Sequence, residues 1–332
     1  MKLQYRIDLL SRLGEYISGN DDGWMAAKQK ASQENAWFTP AFVDHAVQVI
    51  AQNFLDTGKL REWTRSYALP EENPQPKTVG LVMAGNIPLV GFHDFLAVMI
   101  SGHRALIKPS SRDQALIRHL AEKLIAWSPA LGDELQFSEQ LKGCDAYITT
   151  GSNNSSRYFE YYFSKYPHII RRNRTSVAIL SGHEGAAELA ALADDVHLYF
   201  GLGCRNITKI FVPAGYGFEP MLEGFEKYAF LADHHKYKNN YDYNLALLIL
   251  NKKYYMTNGS ILLVEEPGVF SPISQLHYEF YTDRAAVEKS LLNNPDIQCI
   301  AGMNPAPFGQ TQSPGLADYA DGVDSLQFLA TL

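Results

Sequence analysis

Apolar residues change their spacing partway along the chain. Up to residue 70 they recur at helical intervals, as in Phe42, Val43, Ala46, Val49, Ile50 and Phe54, so this region reads as helices joined by loops. The link Pro70-Glu-Glu-Asn-Pro-Gln-Pro76 ends it. Short apolar runs then alternate with amphipathic stretches. Residues 79–84, 105–108, 146–150 and 176–180 read as strands, with helices over 90–100, 112–127 and 155–166 between them. The alternation resumes with helices over 186–199, 218–230 and 285–292, and strands over 209–212, 245–250, 261–264 and 275–281. Strand, crossover helix and strand in repetition predict an α/β fold of two domains with mostly parallel sheets. The best boundary is Gly182–Glu184. It divides the chain into a helical cap plus first α/β domain (1–182), a second α/β domain (183–303) and a polar, turn-rich tail (304–332) expected to return to the first domain or to make an oligomer contact.

Composition narrows the function classes. Hydrophobic residues at 46% against charged residues at 20% exclude wholesale disorder. A chain of 332 residues buries enough surface to need neither a disulfide nor a metal staple. A net charge of −7 argues against broad binding of nucleic acid or anionic membrane. Cys144, Cys204 and Cys299 are far apart and form no CxxC pair, which disfavours a disulfide framework or a thiolate metal site and points to a reducing compartment. His234-His235 and the Tyr237–Tyr243 stretch lack metal-ligand spacing and read as a solvated loop. The N-terminus carries charges where a signal peptide needs apolar residues, and no run approaches the ~18 apolar residues of a membrane span. A cytoplasmic protein is the expectation.

Four phrases offer chemistry. In Gly201-Leu-Gly-Cys204-Arg-Asn206 a cysteine sits on a glycine-flanked loop between a helix and a strand, where a thiol can be approached by a ligand. In Met83-Ala-Gly-Asn86-Ile-Pro88 an asparagine stands at a strand's carboxyl end, where α/β proteins place ligands and where its amide can donate to an oxyanion. Lys108, followed by Ser110 and Ser111 at a helix start, can hold ribose hydroxyls or a phosphate. Gly151 and Ser152 follow a strand and can face a pyrophosphate. Each phrase alone also reads as an ordinary turn, cap or buried loop. There is no GxGxxG.

Taken together, Asn86, Lys108, Gly151-Ser152, Cys204 and the Phe308-Gly309 tail resemble the aldehyde dehydrogenase superfamily in its own order. Gly85-Asn-Ile-Pro88, Ile107-Lys-Pro-Ser-Ser111, Phe200-Gly-Leu-Gly-Cys-Arg-Asn206 and Ser271-Pro-Ile273 are most similar to its acyl-CoA reductase (LuxC-type) branch. The resemblance spans about residues 75–332. It implies a cofactor domain and a catalytic cysteine domain, with Cys204 as nucleophile and Asn86 as oxyanion donor. It also implies that Lys108, Ser110, Ser111, Gly151 and Ser152 bind the cofactor, and that no metal takes part. The cofactor expected is NADPH, with NADH as the alternative, because no carboxylate follows Lys108 before Asp113 and Arg112 adds a charge. The expected substrate is an acyl-CoA or other acyl thioester. An acyl-activating or acyl-transfer protein and a second copy of the chain are the partners left open.

Two departures from the family pattern bear on mechanism. Ile179-Leu-Ser-Gly182 stands where hydrolytic members carry a base in Glu-Leu-Gly-Gly. Gly268 precedes Phe270-Ser-Pro272 where most members have a glutamate for the nicotinamide ribose, with Glu265 and Glu266 nearby but out of register. Water needs a positioned base to resolve an acyl-cysteine, whereas a CoA thiol needs far less help. The reading is therefore an acyl-CoA reductase. The alternatives are a hydrolytic aldehyde dehydrogenase using Glu184, and a non-redox acyl-binding or acyl-transfer protein.

Overall fold

A computed structural model describes residues 1–151, 153–303 and 306–332, with Asn153 described by its backbone alone. The chain forms two compact units: Met1–Asn173 with Pro314–Leu332, and Arg174–Ser313.

The first unit opens with four helices, α1 (Leu3–Ser18), α2 (Asp22–Glu34), α3 (Pro40–Val49) and α4 (Thr57–Arg65). Side chains of Asp21, Thr39 and Asp56 cap the last three by accepting N–H groups of their first turns. These helices share one apolar core with the sheet and the helices that follow: Leu10, Leu13, Trp24 and Phe38 belong to the same buried cluster as Val79, Leu81, Ile107, Phe92, Leu96 and Leu120. The sheet is built from β1 (Thr78–Val82), β2 (Arg104–Lys108), β3 (Leu135–Phe137), β4 (Ala146–Thr150) and β5 (His168–Arg171). Its order is β3-β2-β1-β4-β5, and every pairing is parallel. The crossovers carry α5 (Phe92–Ser101), α6 (Ala115–Trp127) and α7 (Asn153–Phe163). β1 and β4 are buried nearly throughout, as parallel strands covered on both faces must be. A buried ion pair from Arg171 to Asp94, at 2.7 and 3.2 Å, ties the end of β5 to α5.

The second unit holds β6 (Thr175–Ile179), α8 (Ala186–His197), β7 (Ile207–Pro213), α9 (Glu219–Gly224), α10 (His235–Leu250), β8 (Met256–Thr257), β9 (Leu262–Glu265), β10 (Gln275–Tyr281), α11 (Arg284–Leu292) and β11 (Ile297–Ala301). Its sheet runs β11-β6-β7-β10-β9-β8, parallel except for β8 against β9. From Pro314 the chain belongs to the first unit again, where α12 (Ser325–Ala330) follows and His103 Nε2 lies 3.0 Å from the Leu329 carbonyl.

Three expectations are corrected. The run at 176–180 pairs with β7 and β11, so the division falls after Asn173 rather than at Gly182. A fully buried apolar strand reads the same in either sheet, and β5, which closes the first one, is half polar and was not legible. The run at 245–250 is the last part of α10, not a strand. It contains no breaker and is mostly leucine, a strong helix former, with Leu248 buried while Ile249 and Leu250 are exposed. His235 and the tyrosines after it form the first part of the same helix, with Tyr237 and Tyr241 buried, so they are not a solvated loop. No helix among the described residues is long and apolar enough to cross a membrane.

Candidate active site

Asn86, Lys108, Ser110, Ser111 and Gly151 all lie at the carboxyl edge of the first sheet. Lys108 ends β2, and the others occupy the loops that follow β1, β2 and β4. The chain leaves β1 toward β2 on one side and β4 toward β5 on the other, so the sheet's topological switch lies between β1 and β4. That is where open parallel sheets take ligands. Backbone crowding shapes the edge. A Cβ on Gly85 would meet Ser110 Oγ at 2.6 Å, so the Asn86 loop rests directly on the loop after β2. A Cβ on Gly151 would lie 2.9 Å from Ser155 Cβ and from the Phe159 ring, so only glycine fits where α7 begins. Ser152, the other residue of that turn, lies outside the described residues.

The serines are placed differently from the expectation. α6 starts at Ala115, so Ser110 and Ser111 belong to the preceding loop rather than to a helix start. Ser110 Oγ accepts the Arg112 N–H at 3.2 Å. Both serines remain loop donors beside Lys108, the last residue of β2. Asp113, which sequence reasoning treated only as a distant charge, is buried against the Asn86 loop and accepts the Leu89 N–H at 2.7 Å. Burial pushes its carboxyl up to about 7, with the Leu89 N–H opposing.

Cys204 lies in the second unit, on the turn between α8 and β7. Tyr199, Phe200 and Gly201 all take left-handed backbone just before it, with φ of 55°, 58° and 74°. Asn206 holds the turn. Its Oδ1 accepts the Gly203 N–H at 2.8 Å, and its Nδ2 donates to the carbonyls of Asp195, Val196 and Leu198 at 3.1, 3.3 and 2.8 Å. The asparagine thus caps the carboxyl end of α8 and shapes the cysteine turn at once. Replacing Asn206 by Leu leaves these groups unpaired, and the expected cost is about 2–4 kcal/mol in urea denaturation. On the other side of the turn, Ser176 Oγ lies 3.0 Å from the Cys204 carbonyl oxygen and 2.9 Å from Cys299 Sγ. None of the three cysteines is in a disulfide. Burial pushes the thiols of Cys144 and Cys299 up.

The Phe308-Gly309 tail is fixed by Asp195, another residue sequence reasoning missed. Its carboxylate accepts the N–H groups of Gly309 and Thr311 and the Thr311 hydroxyl at 2.6–3.0 Å. The irregular segment between β9 and β10 is held carbonyl by carbonyl. Lys209 Nζ donates to Pro267 O, His277 Nδ1 to Gly268 O and Thr208 Oγ1 to Val269 O. Glu265 is exposed at the end of β9, and Glu266 is paired with Lys253 at 2.8 Å, a bond that lowers its pKa. No group of three metal-ligating side chains occurs among the described residues.

No family model and no curated protein sequence matches the chain. Solved structures do. Aldehyde dehydrogenase 21 from Physcomitrella patens, in complex with the reaction product succinate, aligns over 92% of this chain and 74% of its own with a TM-score of 0.67 at 12% identity. The chain has the aldehyde dehydrogenase fold. A Mycobacterium tuberculosis aldehyde dehydrogenase complexed with NAD+ aligns over 91% of this chain and 73% of its own (TM-score 0.64, 14% identity). An E. coli NADP-dependent enzyme gives the same coverages, TM-score and identity. In that fold the Cys204 turn and the carboxyl edge carrying Asn86 belong to the two α/β units that the topology separates.

Proposed function

We propose that the chain is an acyl-CoA reductase of the LuxC type, which takes an acyl group onto Cys204 and releases it as an aldehyde. The observation that carries this reading is Ile179. It occupies the position at which hydrolytic aldehyde dehydrogenases hold their base carboxylate, and it is sealed in an apolar cluster with Val177, Phe211, Leu291 and Ile297. Nothing at that position can take a proton from water. The runner-up base, Glu184, has both oxygens committed: they accept the N–H groups of Ser181 and Gly182 and the Ser181 hydroxyl. An acyl-cysteine without a base suits exchange with a thiol.

In this reading the Cys204 thiolate attacks the thioester carbonyl carbon. The C–S bond to CoA breaks, and CoA leaves as its thiolate. The Cys204 backbone N–H and the Asn86 amide donate to the oxyanion. A nicotinamide cofactor, when bound, supplies the hydride. Hydride addition leaves a tetrahedral alkoxide on Cys204; its C–S bond then breaks with the electron pair returning to the Cys204 sulfur as thiolate, and the aldehyde forms with no net gain or loss of a proton. The glycine turn at Gly151, the Lys108 ammonium and the Ser110 and Ser111 hydroxyls suit the cofactor's phosphates and ribose. NADPH is favoured because Asp113, the first carboxylate after Lys108, is buried on Leu89 and does not oppose a 2′-phosphate.

Intact mass spectrometry after mixing with acyl-CoAs of several chain lengths tests the reading. The chain gains one acyl group as CoA is released, and NADPH discharges the adduct more readily than NADH. In the reverse direction, aldehyde oxidation requires added CoA. Equal oxidation rates with no thiol present would overturn the reading in favour of the hydrolytic one.

A further inference from the structure

We propose that Asp113 is a positioning residue that couples the loop carrying Lys108, Ser110 and Ser111 to the loop carrying Asn86, so that cofactor binding on the first loop sets the Asn86 amide on the second. This rests on the functional reading above. The geometry is specific. Asp113 is 6% exposed, and its Oδ2 accepts the N–H of Leu89, three residues after Asn86. Leu89 is itself held in left-handed backbone, φ 55°, a conformation that a branched residue adopts only when its surroundings impose it. Asp113 is tied to its own loop through its N–H, which donates to Ser110 O at 3.1 Å. Ser110 in turn lies against Gly85. One buried carboxyl thus joins the two loops at the point where the Asn86 segment is strained.

A residue serving stability alone would not be a carboxylic acid here. Its Oδ1 is buried without a partner. Burial pushes its carboxyl up to about 7, partly offset by the Leu89 N–H. The folded value lies above the ordinary 3.8, so the folded chain binds this proton more tightly than the unfolded one. The contribution to stability is fully present below about pH 4 and is lost as the pH rises through about 7. An asparagine would accept the same N–H without that loss. A carboxyl that weakens the fold at neutral pH while bridging two ligand loops is what a functional constraint produces.

The test uses Asp113→Asn and Asp113→Ala in the full chain. Asp113→Asn is expected to unfold at higher urea than the wild type at about pH 8, with the difference gone near pH 4. Asp113→Ala is expected to lose kcat by ~10-fold or more while the KM for acyl-CoA changes by less than about twofold, with Asp113→Asn restoring most of the rate. Hydrogen exchange supplies a readout that needs no acyl substrate. NADPH should slow exchange at Asn86–Leu89 in the wild type and in Asp113→Asn, but not in Asp113→Ala. Unchanged kcat in Asp113→Ala, or exchange at Asn86–Leu89 that does not respond to NADPH or NADH in the wild type, overturns the coupling. If Asp113→Ala does not fold, the wild-type exchange response and the urea comparison with Asp113→Asn decide. Absence of any acyl adduct in the wild type overturns the functional reading while leaving the exchange result to judge the coupling.

Discussion

Cys204→Ala is expected to eliminate the acyl adduct. On mixing with acyl-CoA, the wild-type chain is expected to gain the mass of a single acyl group that neutral hydroxylamine removes. The variant keeps its unmodified mass and releases no CoA. The expectation of a single site follows from what surrounds each thiol. The thiolate is the nucleophile, and burial in an apolar setting suppresses it. Cys144 is 3% exposed, and burial pushes its thiol up despite a hydrogen bond with Tyr147. Cys299 is perturbed in the same direction by burial and is engaged by Ser176 and Arg205. Cys204 and Cys299 are both partly exposed, but Cys204 sits on a glycine-flanked turn, whereas Cys299 lies within β11. Removing one sulfur from a partly exposed turn costs about 1 kcal/mol or less, so the variant's urea midpoint stays near the wild type's. A hydroxylamine-labile acyl mass on Cys204→Ala would move the nucleophile to Cys299.

The strands that carry the candidate site were legible because a parallel strand covered on both faces reads as a short, mainly apolar run: 79–84 is apolar throughout, 105–108 apolar up to Lys108, and 146–150 an apolar start followed by two β-favouring threonines. Their ends could be read too, since Gly, Pro and Asn punctuate them. Assignment of a run to a sheet was not legible, because pairing depends on residues far away in the chain. β6 looks like a sequel to β4 and pairs instead with β7 and β11. β11, which carries Cys299, is short and only half buried, and gives little periodic signal.

The residues that shape the site escaped for a related reason. Asp113, Asp195 and Asn206 are polar residues whose partners are mostly backbone groups of other segments, at separations of 24, 116 and 10 residues in Leu89, Thr311 and Val196. Backbone N–H and C=O groups are identical at every position, so no local pattern marks the ones that need a side chain. One signal was available. Asn206 closes the Gly-Leu-Gly-Cys-Arg-Asn phrase, and an asparagine directly after a glycine turn and before an apolar strand is placed to bond the turn it ends.

Asn86→Ala is expected to lower acyl-CoA turnover by ~10²–10³, with the acyl-CoA KM nearly unchanged, because a preorganised oxyanion donor is worth ~3–4 kcal/mol in the transition state and little in the ground state. The donor's value depends on its being fixed before the reaction. Here the fixing is visible around it: Gly85 packed on Ser110, Leu89 in left-handed backbone, and Asp113 on the Leu89 N–H. Asn86→Asp separates a hydrogen-bonding role from a merely steric one. It preserves the shape of the side chain but places an acceptor and a negative charge beside the developing oxyanion, so it falls at least as far as the alanine variant. Steady-state rates of NADPH oxidation, with burst-phase CoA release to isolate acylation, measure both. If Asn86→Ala acylates Cys204 at close to the wild-type rate, the amide is not an oxyanion donor. If only the Asp variant is impaired, the residue matters for the field at the site and not for the hydrogen bond, since alanine removes the donor without adding a charge.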